Sequence, residues 1–231
     1  MTNPFDFDKN PAMAQGYEDG PRRFIPGYDA SHAMAATLLV DRIGERGRVL
    51  VLGAGGGVEL CALGRASAGW TFVGVDPSEN MLAVARGKLE AAHLETRVQL
   101  VQGYIPDAPE GPFDAATCFL TLHFIADNGA RLDALKHIRR RLNPGAPFLV
   151  INSSADKTSA AFERQLRGYR VFARRNGAPE EMTVAAAQAI RDHLPVLSPA
   201  REEALLGEAG FDEIELFYVG MMFRGWIARA C

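Results

Sequence analysis

Arg48-Val-Leu-Val-Leu-Gly-Ala-Gly-Gly-Gly-Val-Glu-Leu60 is an apolar run that ends in clustered glycines and passes into a helical pattern. A short continuous apolar run reads as a strand buried on both faces, the habit of a parallel sheet. Glycines at its end let the chain turn sharply and bring backbone close to a ligand. Working outward, further strands are expected at Trp70–Val75, Val98–Gln102, Phe113–Phe119 and Ala146–Ile151. Helical patterns lie between them near 57–67, 78–92 and 129–142, and an earlier one runs from Ser31 to Ile43. Such alternation predicts a doubly wound α/β sheet. The tail differs: helices over 157–175 and 180–193 follow one another without a strand. A third helix opens at Ser198-Pro199, with serine as N-cap and proline in the first helical position, and closes at Gly210. Two adjacent strands, Glu213–Val219 and Met222–Ala228, turn at Gly220 and put one antiparallel strand on an otherwise parallel sheet.

Composition bounds the rest. The 231 residues are 48% hydrophobic and 23% charged, ordinary for a globular chain. One domain over 1–231 is expected, with an N-terminal arm over 1–27 carrying Pro4, Pro11, Pro21 and Pro26, and a helical lid insertion over about 153–200. Lys and Arg number 25 against 28 Asp and Glu, so nothing asks for nucleic acid or an anionic membrane as partner. Cys61, Cys118 and Cys231 form no C-x-x-C, and no metal site is expected. Scattered thiols and a polar, acidic N-terminus without an apolar core predict a cytoplasmic protein.

The glycine loop gains meaning from Asp76, 23 residues after Gly53 and at the end of the second strand. A carboxylate there can accept both hydroxyl protons of a ribose 2′,3′-diol. The bland alternative is a glycine turn followed by an Asp-Pro helix start. Two nucleotide classes use such a site, NAD(P) and S-adenosylmethionine. A dinucleotide site wants a third glycine where this chain has Val58. S-Adenosylmethionine carries no phosphate and needs no helix N-terminus aimed at an anion. The closing antiparallel hairpin also argues against a dehydrogenase.

Val49 to Leu60, then Gly74-Val-Asp-Pro-Ser-Glu-Asn-Met-Leu82, Phe113-Asp-Ala-Ala-Thr-Cys118 and Leu142-Asn-Pro-Gly-Ala146, resemble the class I S-adenosylmethionine-dependent methyltransferases over roughly residues 28–229. The resemblance implies a Rossmann-like seven-stranded sheet with its last strand antiparallel. It implies that Gly53, Ala54 and Gly55 line the methionine end and Asp76 the ribose. Pro77 and Met81 would lie beside ribose and adenine, with Gly103, Tyr104 and Ile105 flanking adenine and Phe119 and Leu120 beneath the cofactor. Two departures stand out. Many members carry an acid two residues before the first glycine, here Val51, and many follow strand three with Gly-Asp, here Gly103-Tyr104.

Arg23-Phe-Ile-Pro-Gly-Tyr28, Phe172-Ala-Arg-Arg-Asn-Gly177 and Ala209-Gly-Phe…Met222-Phe-Arg-Gly-Trp-Ile-Ala228 are similar to the carboxy-S-adenosylmethionine synthases. Those enzymes use prephenate to place a carboxyl group on the cofactor's methyl. The resemblance implies that Tyr28 contacts the cofactor from the N-terminal arm. The family's carboxylate-gripping arginine falls at Leu205, and its cofactor-binding asparagine at Phe119. Leucine offers a carboxylate no bidentate donor. A methyltransferase acting on a small molecule is therefore the expected activity, with carboxy transfer through Arg201 or a lid arginine such as Arg174 as the alternative.

His123 follows the fourth strand, at the sheet edge where ligands bind, and is the candidate general base. Its other reading is a hydrogen-bonded residue at a helix start. His32, His93, His137 and His193 read as helix-surface residues. Arg164, Arg167, Arg170, Arg174 and Arg175 share much of one helix face. They are either a solvated face or a lid that offers Arg170 and Arg174 to an acidic substrate. Phe162, Leu166, Tyr169, Val171 and Phe172 form the apolar face of that region, packed on the sheet or used in a homodimer.

Overall fold

Strand β1 (Arg46–Leu52) is central because both its neighbours pair with it in parallel, β2 (Gly69–Asp76) on one side and β4 (Ala115–Phe119) on the other. The structure, a computed structural model, describes Asp8 and residues 19–231. Strand β3 (Val98–Gln102) flanks β2 and β5 (Pro147–Ser153) flanks β4. The hairpin β6 (Phe211–Gly220) and β7 (Phe223–Ala230) closes the sheet, β7 running antiparallel to β5 and to β6. The order is β3-β2-β1-β4-β5-β7-β6, the seven-stranded doubly wound sheet with its last strand antiparallel.

Strand side chains alternate between faces. Val49 and Val51 enter one core with Leu149 and Ile151, while Leu50 and Leu52 enter the other with Phe148 and Val150. The first core is covered by α2 (Tyr28–Ile43), α3 (Val58–Ala66) and α4 (Glu79–Ala91), the second by α5 (Ala130–Arg139) and α8 (Pro199–Glu208). Trp70 and Trp226 are buried in these cores. Arg131 of α5 is bolted beneath the sheet edge. Its guanidinium donates to Glu202 of α8 at 2.8 Å, to the Ile125 carbonyl at 2.9 Å and to the Pro195 carbonyl at 2.6 Å.

The tail helices are α6 (Phe162–Arg175) and α7 (Glu180–Asp192), within the segment expected as a helical lid insertion. Phe162, Leu166, Tyr169 and Ala173 pack into the first core. The Tyr169 ring lies 5.4 Å from Phe24 of the short helix α1 (Asp19–Phe24) and 6.1 Å from Phe223 of β7. Of the apolar face of α6, Phe162, Leu166 and Tyr169 thus serve the chain's own core, while Val171 is exposed. Of the expected N-terminal arm, residues 1–7 and 9–18 lie outside the described residues, and 19–24 are helical. Among the described residues no helix is long and apolar enough to cross a membrane.

Candidate active site

The glycine loop is held by the backbone beside it. The N–H groups of Gly53 and Ala54 donate to the Val75 carbonyl at 2.8 and 3.0 Å. Gly53 has φ 77°, and a Cβ there would stand 1.8 Å from Thr121 Oγ1, so glycine alone fits. Gly55 turns with φ 47° and donates its N–H to Asp76 Oδ2 at 2.9 Å. Asp76 Oδ1 accepts the Ser78 N–H at 3.0 Å. Both oxygens are thus pinned, and each keeps lone-pair capacity for a ligand. Burial pushes the Asp76 carboxyl up, the Ser78 and Gly55 N–H groups pull it back, and nearby Asp8 adds a smaller push. Asp8 reaches the same rim, accepting from Ser78 Oγ at 2.6 Å.

Above this loop lies a cavity of about 910 Å³, large enough for a nucleoside-sized cofactor with a small acceptor. Its lining brings together Tyr28, Gly53, Ala54, Gly55, Asp76, Pro77, Met81, Gly103, Tyr104, Ile105, Phe119 and Leu120. Every position that the methyltransferase resemblance pointed to faces this one space. Tyr104 stands 68% exposed at the rim, its N–H held by Asp107 at 2.8 Å.

The expected catalytic histidine is not there. His123 is buried away from the cavity, with Nδ1 accepting the Ser153 N–H at 3.2 Å. Burial, aided by the Arg131 charge, pushes its pKa down to about 3. A histidine so placed props β5 and, among the described residues, does not line the cavity. Arg170 and Arg174 both bind Glu180, at 2.6 and 3.0 Å, and neither lines the cavity among the described residues. Leu205 sits wholly in the second core, and Arg201 pairs with Asp127 and Glu208.

Two histidines read as surface residues line the cavity instead. His32 is one helical turn after Tyr28, and its Nδ1 lies 2.8 Å from the Tyr28 carbonyl oxygen. Only an N–H can face a carbonyl, so Nδ1 carries the proton and Nε2 the lone pair. Its ring stands edge-on to Tyr28 and to Phe119, and burial lowers its pKa, keeping it neutral at pH 7. His137 and Asp133, one turn apart on α5, line the far end. Glu59, in the first turn of α3, lines the near end and is 5% exposed. The spacing from Tyr28 to His32 was a usable signal, because residues four apart share a helix face. Among the described lining residues there are four carboxyl groups (Asp8, Glu59, Asp76 and Asp133) and no arginine or lysine. No group of three potential metal ligands gathers among the described residues.

A family model described as a methyltransferase domain matches residues 50–148. The chain is 28% identical over 232 residues to a ubiquinone biosynthesis O-methyltransferase of Xylella fastidiosa, covering 97% of this chain and 84% of that protein. It is 25% identical over 229 residues to a carboxy-S-adenosyl-L-methionine synthase of Methylococcus capsulatus, covering 96% and 93%. The fold matches the crystal structure of a SAM-dependent methyltransferase from Aquifex aeolicus with TM-score 0.63 and 17% identity, covering 96% of this chain and 99% of that one. Of several longer methyltransferase chains that share the fold, this chain spans 56–63% of the length.

Proposed function

We propose that this chain, which belongs to the class I S-adenosylmethionine-dependent methyltransferases, methylates an O, N or C atom of a small neutral or cationic molecule in the cavity above its glycine loop. The observation that carries the reading is the convergence of the glycine loop, the pinned Asp76 carboxylate and the ends of β3 and β4 on one cavity. When bound, the cofactor supplies a methyl group already activated on a sulfonium. Asp76 would take the ribose diol, with Gly53, Ala54 and Gly55 along the amino-acid end, Ile105 and Tyr104 beside adenine, and Phe119 and Leu120 beneath. The Tyr28 and Phe119 rings stand edge-on to His32 and frame it at the cavity wall. His32 then has the two properties a general base needs, a neutral ring and an Nε2 lone pair whose tautomer the Tyr28 carbonyl fixes. It replaces His123 in that role.

The acceptor's charge follows from the lining. Among the described lining residues no arginine or lysine offers an anionic substrate a bidentate donor pair. This also bears on the second reading, carboxy transfer, which relatives of that name favour. Transfer from prephenate needs a grip on a carboxylate, and the positions weighed for it lie in the core (Leu205) and in surface ion pairs (Arg201 and Arg174). The test is incubation with S-adenosylmethionine and prephenate, then mass spectrometry of the cofactor. Recovery of unchanged S-adenosylmethionine is expected, and accumulation of the carboxylated cofactor would establish the synthase reading instead.

A further inference from the structure

Glu59 is a buried carboxyl group with the Thr117 hydroxyl of β4 as a neighbour. Its Oε1 has no hydrogen-bond partner, and neither has Thr117 Oγ1 beside it on β4. Thr117 is the register partner of Val51 on β1, and both lie under the cavity floor on the face that α3 covers. An unpaired buried carboxyl is costly, so a fold that keeps one against a ligand cavity points to a partner supplied by the ligand.

The sheet order says which part of the ligand arrives there. Tyr104 and Ile105 follow β3, Asp76 ends β2, the glycine loop follows β1, and Thr117 and Phe119 belong to β4. A cofactor with adenine near β3 and ribose on Asp76 extends across β1 and ends over β4, at the part of the cavity that Glu59 and Phe119 line. That end is an amino acid. We infer that Glu59 is the anionic partner of the cofactor's α-ammonium group. The inference rests on the methyltransferase reading and deepens it. An ammonium has three donors and no acceptor, which matches a carboxyl oxygen, Glu59 Oε1, left without a hydrogen-bond partner. The first turn of a helix also favours a negative side chain.

Burial pushes the Glu59 carboxyl up to about 8, and the Thr117 hydroxyl pulls the other way by less. Near neutral pH the free protein therefore holds a proton on Glu59, and pairing with a cation expels it. The titratable groups on the elements around it are His32 on α2, Cys118 on β4, Lys88 on α4 and Asp76 at the end of β2. Burial keeps His32 neutral and the Cys118 thiol protonated, so neither competes for that proton near pH 7.

The test is isothermal titration of the full chain and of Glu59→Gln with S-adenosylmethionine, S-adenosylhomocysteine and methylthioadenosine, which shares the adenosyl thioether but lacks the amino acid. Runs in buffers of different ionisation enthalpy count protons. At pH 7 the native chain should release most of a proton on binding S-adenosylhomocysteine and none on binding methylthioadenosine. Affinity for S-adenosylhomocysteine should rise by about tenfold per pH unit from pH 6 to 7.5 and be flat in Glu59→Gln. That variant should bind S-adenosylmethionine and S-adenosylhomocysteine about tenfold or more weakly at pH 7.5, with methylthioadenosine unchanged. Equal weakening of methylthioadenosine would make Glu59 a structural group and overturn the inference. Weakening of S-adenosylmethionine alone would assign the carboxylate to the sulfonium and overturn it too. Binding of S-adenosylhomocysteine by the native chain without proton release would do the same while leaving the cofactor reading intact. Failure of the native chain to bind any of the three would remove the cofactor reading itself.

Discussion

Replacing Asp76 by alanine should cost the protein its cofactor before it costs the fold. Each carboxylate oxygen already accepts one backbone N–H, from Gly55 at 2.9 Å and Ser78 at 3.0 Å, and each retains capacity for one ribose hydroxyl. Hydrogen bonds to a charged acceptor contribute about 1.5–3 kcal/mol, and two on one carboxylate are not additive, so a total loss of ~2–4 kcal/mol is expected. That corresponds to roughly 30- to 1,000-fold in dissociation constant. The two freed N–H groups add a stability cost of about 1–2 kcal/mol, less than the stability of a typical domain. Because burial raises the Asp76 carboxyl, native affinity should also weaken as pH falls through its titration, since the protonated acid loses its charge and an acceptor. Calorimetric titration with S-adenosylhomocysteine, with a thermal melt to confirm folding, measures both effects. A folded Asp76→Ala protein with native affinity would mean that the ribose lies elsewhere and that the glycine loop was misread.

Three further outcomes follow from the same geometry. His32→Gln should lower kcat by about 10²- to 10⁴-fold while leaving S-adenosylhomocysteine affinity within about threefold, and a variant with native kcat would remove His32 as the base. His123→Gln should leave kcat near native and flatten the loss of stability in acid. The folded chain holds His123 with a pKa of about 3 against 6.5 unfolded, so its contribution is complete above pH 6.5 and is lost as pH falls towards 3. Urea melts at pH 7 and pH 4.5 would show this, and an inactive but equally stable variant would restore His123 to the site. The double change Arg170→Ala, Arg174→Ala breaks only exposed pairs with Glu180, so kcat/KM for any acceptor should hold within about twofold. A large rise in KM would bring α6 back to the substrate.

The sheet was readable because its inner strands are buried on both faces and stand out as apolar runs between glycines. Val49–Leu52 and Phe148–Ile151 are of this kind. Boundaries were less legible where the local signal was not a side chain. Helix α2 begins at Tyr28 behind Gly27, a left-handed N-cap residue with no capping hydrogen bond to announce it. Helix α6 begins at Phe162 because Asp156 Oδ1 ties up the Thr158 N–H and hydroxyl, holding the preceding residues in turns. The cofactor positions were legible because the glycine loop and Asp76 sit at strand ends, which the strand pattern locates. The histidines were not. A polar residue in an amphipathic helix reads as surface, yet α2 and α5 turn His32 and His137 towards the cavity between them and the sheet edge. His123 shows the converse, since a residue just past a strand can turn inward, here onto the Ser153 N–H of β5. The arginine spacing on α6 revealed a shared face, but Glu180, on the next helix, decides what that face meets.

The most direct test of the cavity as the cofactor site is a crystal structure of the full chain grown with S-adenosylhomocysteine. The expected result is a ribose with both hydroxyls within hydrogen-bond distance of the Asp76 carboxylate and adenine between Ile105 and Tyr104. The amino-acid end should run over the glycine loop towards Phe119 and His32. Density for the ligand at any other place on the chain, with the space beside Asp76 filled by water, would contradict it.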